Sequence, residues 1–331
     1  MKIGFSKVPA TPAAGYTRQL REVLTKYAPQ HEYVVDEKIG SGIDLYHCHG
    51  YRTALPLLLR TGRTKTVVTV PDLHFLRYPH LYTLPERLVL LSAYRRALRT
   101  AGRLITLNRG AREELSRKLA IDPRKIEVVM PLAARAPQEA PPDAELEAVR
   151  RKYMLPKRFV LMLGTVEPRH NHEAVFEALA QSEAGLGVVV CGRRTVYSDF
   201  LLGYARARHL AGRVDFIYEL SPEDLPALFR LARVFAYLPD AEAEASIVPV
   251  VEAMRAGLPV LLSDTPLNRE AAAEAALYVY PEQIERIAQR LEQLAGEGPL
   301  RRTMQERERR RAELFSEYAV VQRLIDIYTS L

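Results

Sequence analysis

The sequence contains no tryptophan and only two cysteines among its 331 residues. Cys48 and Cys191 lie far apart in the chain, which excludes a disulfide-stapled scaffold and favours a reduced, cytoplasmic protein. No run approaches the roughly 18–20 apolar residues that a membrane-spanning helix requires. The first residues also lack the apolar core of a signal peptide. These absences predict a protein that is neither secreted nor membrane-spanning.

Apolar residues make up 48% of the chain and charged residues 26%, an ordinary balance for a globular protein. This composition excludes a disordered chain and a collagen-like one. The length is typical of two domains, each large enough for its own hydrophobic core.

Positive charge is concentrated in the first half. Residues 1–150 contain 24 Lys and Arg against 15 Asp and Glu, whereas residues 151–331 contain 23 against 25. A basic half indicates an anionic partner, such as nucleic acid, anionic lipid or a phosphorylated acceptor, or simply a solvated arginine-rich surface. Nucleic acid is the least favoured partner, because the sequence has no aromatic and basic platform of the RNA-binding type.

Short β-type runs alternate with amphipathic stretches in both halves. In the first half, strands are predicted at 2–8, 32–35, 44–48, 66–70, 103–107 and 125–130, with helices at 16–27, 51–60, 84–99 and 109–120. In the second half, strands are predicted at 159–163, 186–190, 214–217, 234–237, 260–262 and 277–279, followed by a mostly helical tail. This alternation predicts an α/β protein with two parallel sheets, a linker at 133–142 and a cleft that binds ligand at the carboxyl ends of the strands.

Four helix ends carry specific signals. Asn108 and Asp143 are predicted to cap the helices that follow them. The segment Ser221-Pro222-Glu223-Asp224 predicts a helix start, with a capping serine, proline at the first position and an acid three residues after the cap. Gly257 is predicted to end a helix.

Two loops in the second half carry candidate binding residues. After the strand 159–163, the loop from Gly164 to Asn171 carries Arg169 and then a helix start, which suits an anion such as phosphate. Further on, Glu244 and Glu252 lie eight residues apart, and carboxylates accept hydrogen bonds from sugar and ribose hydroxyls. The alternatives are a surface arginine in an ordinary loop and two acids favoured by the helix dipole.

Taken together, these segments resemble the retaining glycosyltransferases of family 4. The loop from Gly164 to Asn171 resembles the family's G-T-x-E-P-R-K-N loop, and Glu244 to Glu252 matches its Glu-(seven residues)-Glu motif. Residues 67–79 resemble the stretch T-x-H-D-L-x-F-L-R-Y-P. Further matches lie at Asp264, at 274–278 and at Phe315-Ser316, so the resemblance covers nearly the whole chain.

The resemblance implies the GT-B fold, in which two Rossmann-like domains face each other across a cleft. Residues 1–135 would form the acceptor-side domain, and 136–153 a linker and connecting helix. Residues 154–313 would form the nucleotide-sugar domain, and 314–331 a helix that returns to the first domain.

The implied activity is transfer of a sugar, with retention, from a nucleoside-diphosphate donor to a glycan or lipid-linked acceptor. The family implies no metal and no cofactor besides this donor substrate, so positive side chains and helix dipoles would stabilise the leaving diphosphate. The basic first domain is expected to bind anionic membranes through Arg95, Arg96, Arg99 and Arg103. We therefore expect a cytoplasmic protein that lies peripherally on the inner face of the membrane.

The resemblance also implies roles for individual residues. Those expected in catalysis are Glu244, which would hold sugar hydroxyls, and Asp72. Those expected to bind the donor are Glu252 at the ribose, Arg169 and His170 at the diphosphate, the N–H groups of Ser246, Ile247 and Val248 at the diphosphate or sugar, the backbone of Tyr218 and Glu219 at the base, and Gly15, which would let a first-domain loop approach the phosphates.

Several positions depart from the family pattern. Pro71 replaces a histidine that contacts the donor sugar, and His74 lies nearby. His170 replaces a lysine, which would make neutralisation of the diphosphate pH-sensitive. Ala245-Ser246-Ile247 replaces Gly-Phe-Gly, and Glu242 rivals Glu244 as the first carboxylate of the motif. The alternative hypothesis is therefore a catalytically degenerate GT-B protein that acts as a binding or partner subunit.

Two further clusters are weaker candidates. His47 and His49 share one face of a strand, but no third metal ligand is apparent. Cys191-Gly192-Arg193-Arg194 follows a strand, and its arginines could reach a donor phosphate or an acceptor. We interpret Cys191 as a buried small residue rather than a nucleophile.

Overall fold

The computed structural model describes residues 1–6, 12–36, 42–50, 65–70, 83–132, 141–240 and 246–331. The chain divides into two compact units, Met1–Leu132 with Glu317–Leu331, and Ala133–Ser316. Each unit contains a six-stranded parallel sheet with helices, which confirms the predicted α/β class. The described helices include none that is both long enough and apolar enough to cross a bilayer.

The first unit contains strands β1 to β6 in the order β2-β1-β3-β4-β5-β6. The strands are β1 Lys2–Ser6, β2 Glu32–Asp36, β3 Leu45–His49, β4 Lys65–Val70, β5 Arg103–Thr106 and β6 Ile126–Val128. The described helices, numbered here in chain order, are α1 Pro12–Tyr27, α2 Leu84–Thr100, α3 Arg109–Leu119 and, at the end of the chain, α12 Glu317–Thr329.

The first sheet is buried on both faces, because alternate side chains of its strands enter two separate cores. On one face, Ile3, Phe5 and Leu45 pack with residues of α1 and α12. On the other face, Tyr46 and Val68 pack with residues of α2 and α3. Apolar burial of this kind contributes about 25 cal/mol per Å² and is the main force that holds the layers together.

The second unit contains strands β7 to β12 in the order β12-β11-β10-β7-β8-β9. The strands are β7 Phe159–Leu163, β8 Gly187–Cys191, β9 Val214–Ile217, β10 Val234–Tyr237, β11 Val260–Ser263 and β12 Leu277–Val279. The helices are α4 Asp143–Lys152, α5 His172–Gln181, α6 Val196–Ala207, α7 Leu225–Leu231, α8 Val248–Arg255, α9 Pro266–Ala272, α10 Ile284–Ala295 and α11 Pro299–Ala312.

The strand order of the second unit reverses direction between β7 and β10, which are hydrogen-bonded neighbours. From β7 the chain proceeds outward to β8 and β9, and then returns to β10 on the other side. In open α/β sheets, ligands bind outside the carboxyl ends of the strands at such a switch point. The topology therefore directs attention to the loops that follow β7 and β10.

Two of the helix-end predictions are confirmed. The Asn108 side chain accepts a hydrogen bond from the Ala111 N–H at 2.7 Å, as an N-cap should. Gly257 follows α8 with a φ of 65°, in the left-handed region that glycine tolerates best. The N–H of Leu258 donates to the Ala253 carbonyl at 3.0 Å, so α8 ends in a Schellman motif.

Of the other two helix-end predictions, the Asp143 cap is wrong, and the helix start at Ser221 is confirmed except for its side-chain capping bond. Asp143 is the first residue of α4 rather than its cap, because Pro142 occupies the capping position. Ser221 occupies the capping position and Pro222 the first helical position, as predicted, but the first turn is the 3₁₀ turn Pro222–Asp224 that precedes α7, and the Ser221 side chain makes no capping bond. The capping bond is missing because Lys152, at the end of α4, competes for the Ser221 hydroxyl. Lys152 Nζ donates to this hydroxyl at 3.3 Å and to the Asp224 carboxylate at 2.6 Å.

The last strand of the first unit is shorter than predicted. Pro123–Lys125 forms a 3₁₀ turn, which removes Lys125 from the strand, and β6 ends at Val128 rather than at Met130. The predicted helix at 51–60 lies outside the described residues, as does most of the predicted linker at 133–142.

Candidate functional site

Two glycines shape the backbone at the carboxyl end of β7. Gly164 follows the strand with a φ of 139°, and its N–H donates to the Cys191 carbonyl at 3.0 Å. A Cβ at Gly192, just after β8, would lie 1.7 Å from the Gly164 carbonyl oxygen. The two loops therefore touch through their backbones, and only glycine fits at position 192.

The loop after β7 is also fixed to the loop after β10, across the switch point. Asn171 Nδ2 donates to the Leu238 carbonyl and to Asp240 Oδ1, both at 2.8 Å. The Asp240 N–H in turn donates to the Arg169 carbonyl at 2.9 Å. These bonds hold the 3₁₀ turn Pro168–His170 in a defined position at the end of the sheet.

Arg169 lies at the surface of this turn. Its Nε donates to Glu167 Oε2 at 2.5 Å, and both side chains are partly exposed. An ion pair in such a solvated position contributes little stability. The pair therefore mainly orients the guanidinium.

His170 is packed inward against the backbone of Gly164, where a Cβ would lie 2.7 Å from its ring. Its ring stacks on His172 with the centroids 6.0 Å apart. Burial lowers the pKa of His170, and neighbouring Arg169 lowers it further. His170 is therefore neutral at pH 7, and the pH sensitivity expected from the sequence shifts to more acidic solution.

A pocket of about 450 Å³ lies at the carboxyl ends of β8 and β9. Residues 191–194 and 218–220 line it. The Arg194 guanidinium lies 5.7 Å from the centroid of the Tyr218 ring and donates to Asp199 Oδ1 at 2.7 Å. The sequence singled out Tyr218 and Glu219, and the structure brings Arg193 and Arg194 to the same pocket.

The start of α8 presents backbone N–H groups at the same end of the sheet. Ile247 is the N-cap of α8, and Ser246 Oγ accepts from the Val248 N–H at 3.2 Å. The first N–H groups of a helix lack partners within the helix, so they can bind an anion. The Ile247 side chain is only 2% exposed, which shows that this β-branched residue is packed into the protein.

Glu252 lies in the second turn of α8 and is only 4% exposed. A carboxylate enclosed in this way makes stronger hydrogen bonds than one in bulk water, because the local dielectric constant is lower. The other predicted carboxylates, Glu244, Glu242 and Asp72, lie outside the described residues, as do Pro71 and His74.

The remaining candidates belong to the first unit. Gly15 lies in the first turn of α1, after β1. His47 is buried, with its ring nitrogens 2.7 Å from the hydroxyls of Tyr328 and Thr69, and burial lowers its pKa to about 3. These bonds account for His47 as a structural residue. The described part of the chain contains no cluster of three or more His, Cys, Asp or Glu side chains that could hold a metal ion.

Two family models match this chain. Residues 4–131 match the glycosyl transferase 4-like domain, and residues 147–311 match the glycosyl transferases group 1 family. Among curated proteins, an O-antigen chain mannosyltransferase of Salmonella typhimurium, RfbU, is 22% identical over 72% of this chain and 67% of its own length. The O-antigen chain mannosyltransferase B of Escherichia coli is 25% identical over 73% of this chain and 63% of its own length. The chain thus spans about two thirds of each relative.

The fold also matches solved structures. HepE from Anabaena, in complex with UDP, aligns over 100% of both chains with a TM-score of 0.79 and 15% identity. The two family matches together span most of the chain, and each coincides with one of the two parallel sheets. The chain therefore belongs to the glycosyltransferases of the GT-B fold, with a group 1 domain in its second unit.

Proposed function

We propose that this protein transfers a sugar, with retention, from a nucleoside-diphosphate donor to a glycan or lipid-linked acceptor. The observation that carries the proposal is the switch point between β7 and β10. There a glycine-walled loop, a helix start and a 450 Å³ pocket lie at one end of one sheet. This arrangement provides separate places for a diphosphate, a ribose and a base.

In this proposal, the donor is bound by the second unit. The pocket beside Tyr218 and Glu219 takes the base, and Glu252 accepts hydrogen bonds from the ribose hydroxyls. The N–H groups at residues 246–248 and the Arg169 guanidinium face the diphosphate, and the Val248 N–H would exchange its bond to Ser246 Oγ for one to a phosphate oxygen. Burial lowers the pKa of His170, whereas a diphosphate bound beside the ring would raise this pKa.

The chemical step needs stabilisation of the charge that develops on the leaving diphosphate. Fixed N–H dipoles and guanidinium groups supply it without a metal ion, so we propose metal-independent transfer. Glu244 and Asp72 are proposed to hold the reacting sugar. The acceptor oxygen would bond to the anomeric carbon on the face from which the diphosphate leaves, as the bond between that carbon and the phosphate oxygen breaks and a leaving-phosphate oxygen takes the hydroxyl proton. Attack on this face accounts for retention.

The relatives support a glycan acceptor. Two of them are described as O-antigen chain mannosyltransferases. HepE was solved with UDP, which supports the nucleoside-diphosphate donor rather than the acceptor. The test is release of nucleoside diphosphate from UDP-, GDP-, ADP- and TDP-sugars, with and without EDTA, in the presence of oligosaccharide acceptors. We expect turnover with one donor, unaffected by EDTA and abolished by Glu244→Gln. Nucleotide binding without turnover on any donor would favour the degenerate binding subunit that Pro71 and Ala245-Ser246-Ile247 suggest.

We further propose that the first unit binds the anionic cytoplasmic face of a membrane through α2. Leu84, Leu88 and Val89 are 72%, 66% and 65% exposed on this helix. Arg95, Arg96 and Arg99 are exposed in its second half, whereas Arg103 is half-buried at the start of β5. Exposed apolar side chains together with arginines are typical of helices that lie in the interface of anionic bilayers.

Vesicle co-sedimentation tests this proposal. The protein should sediment with vesicles of phosphatidylcholine and phosphatidylglycerol but not with phosphatidylcholine alone, and added salt should weaken the binding. Leu88→Ser or Arg95→Glu should reduce the bound fraction. Arg310→Glu, an exposed arginine in the second unit, is the matched control. Equal recovery on neutral and anionic vesicles would contradict the proposal.

A further inference from the structure

We infer that the pocket at the ends of β8 and β9 selects guanine, with Glu219 as the selecting residue, so that the donor is a GDP-sugar. The inference rests on the proposed function, which places the base in this pocket. It goes further because it identifies the nucleobase and assigns its recognition to the Glu219 side chain rather than to the backbone.

The polar side chains around the pocket have an asymmetric charge pattern. Among the described residues that line the pocket, Glu219 is the only acidic one, and Arg193 and Arg194 are the two basic ones. Glu219 follows β9, whereas the arginines follow β8. A nucleobase that enters between these two loops therefore meets a hydrogen-bond acceptor on the side of Glu219 and hydrogen-bond donors on the side of the arginines.

Guanine is the nucleobase whose edges fit this pattern. Its N1–H and N2–H₂ groups are adjacent donors that match the two oxygens of a carboxylate. Its O6 and N7 atoms are acceptors, and arginine binds this pair in a bidentate manner. Glu219 and the arginines can therefore bind guanine at two adjacent edges of its ring system.

The other bases fit less well. Uracil offers one N–H between two carbonyl oxygens, so a carboxylate beside it gains one bond and faces two acceptors. Adenine and cytosine each present a ring-nitrogen lone pair next to their amino group, which repels a carboxylate at the same place. Each wrong base therefore leaves a polar group of the pocket without a partner, and such a mismatch is the main source of discrimination.

Neighbouring groups orient the arginine side of the pocket. Arg194 is held by Asp199 at 2.7 Å. The backbone beneath it is fixed, because the Gly192 N–H donates to the Ile217 carbonyl at 3.0 Å and the Val166 N–H donates to the Arg193 carbonyl at 3.2 Å. A prearranged guanidinium loses less entropy on binding, which favours affinity for the matching base.

Calorimetric titration of the full chain with GDP, IDP, UDP and ADP tests the inference. IDP lacks only the exocyclic amino group of guanine, so the ratio of the GDP affinity to the IDP affinity (the GDP-to-IDP ratio) reports the contact to that group. We expect GDP to bind tightest and IDP about tenfold more weakly, at the lower end for a bidentate contact because Glu219 is exposed. Glu219→Gln should bring the GDP-to-IDP ratio close to one.

Glu223→Gln is the matched control, because Glu223 is also exposed, lies four residues further on and does not line the pocket. It should leave the ratio unchanged. Tighter binding of UDP or ADP than of GDP would overturn the guanine assignment and leave the proposed function intact. A GDP-to-IDP ratio in Glu219→Gln equal to that of the wild-type protein would overturn the role of Glu219. Absence of binding by all four nucleotides would overturn the proposed function itself.

Discussion

Replacing Glu308 by glutamine should stabilise the second unit at neutral pH, because the buried acid of the wild-type protein destabilises it there. Glu308 lies on α11 and is completely buried. Its Oε1 accepts a hydrogen bond from the Val260 N–H at 3.0 Å, and its Oε2 has no hydrogen-bond partner among the described residues. Burial raises the pKa of Glu308 from 4.5 to about 8, despite opposing effects of that hydrogen bond and of Arg301 and Arg309.

The sign of the pH effect follows from proton binding. Between pH 4.5 and about 8, the folded chain holds a proton on Glu308 that the unfolded chain has lost. The free energy of unfolding therefore falls as the pH rises through this window, and the loss levels off above it. At pH 7 the cost is on the order of 3 kcal/mol. Glutamine keeps the acceptor for Val260 and carries no such cost.

Urea denaturation of both proteins between pH 5 and pH 9 measures this effect. The difference in free energy of unfolding, variant minus wild type, should grow with pH and become constant above about pH 8. Burial lowers the pKa of His47 and His172 to about 3, so these residues destabilise the fold as pH falls below 6.5, but they contribute equally to both proteins. Glu306→Gln, exposed on the same helix, should show no such trend. A difference independent of pH would refute the reasoning.

Three further substitutions test the account of the fold. Gly192→Ala should destabilise the second unit by about 1–3 kcal/mol or more, seen as a lower midpoint in thermal unfolding, because its Cβ would meet a backbone oxygen at 1.7 Å; an unchanged midpoint would contradict this contact. Asn108→Ala should cost about 1 kcal/mol in urea denaturation through loss of the helix cap. His47→Phe should cost about 2–3 kcal/mol, because the buried hydroxyls of Tyr328 and Thr69 lose their partner. The same variant should lose part of the stability gradient between pH 6.5 and pH 3, and a full gradient would contradict the assignment.

The architecture follows from the sequence wherever local signals and burial agree. Strands such as Phe159–Leu163 and Val234–Tyr237 were predicted at their observed limits, because each is a short apolar run between polar loops. Gly257 and Asn108 end or begin helices as their local chemistry dictates. Ser221 behaves differently, because Lys152 lies 69 residues earlier in the chain and competes for its hydroxyl. Such long-range competition leaves no local trace in the sequence.

The candidate site was predictable only in part. The sequence placed Arg169 in a loop after a strand and Glu252 about one turn into a helix, and the structure has both there, whereas their binding roles stay predictions. The neutral state of His170 could not be predicted, because it depends on burial against a backbone that only the folded chain provides. Arg194 and Tyr218 line one pocket because β8 pairs with β9, and this proximity could not be predicted from the sequence either. The glycine in Cys191-Gly192-Arg193-Arg194 was the one signal that could have indicated a close backbone contact there.

The most direct test of a donor site in the second unit is calorimetric titration of the full chain with nucleoside diphosphates, with and without Glu252→Ala. We predict saturable binding of one nucleotide per chain, with Glu252→Ala weakening it by about 1–3 kcal/mol because the ribose hydroxyls lose an enclosed acceptor. Glu270→Ala, on α9, serves as a control and should leave the affinity unchanged. No heat of binding at millimolar nucleotide, or unchanged affinity in Glu252→Ala, would contradict the account.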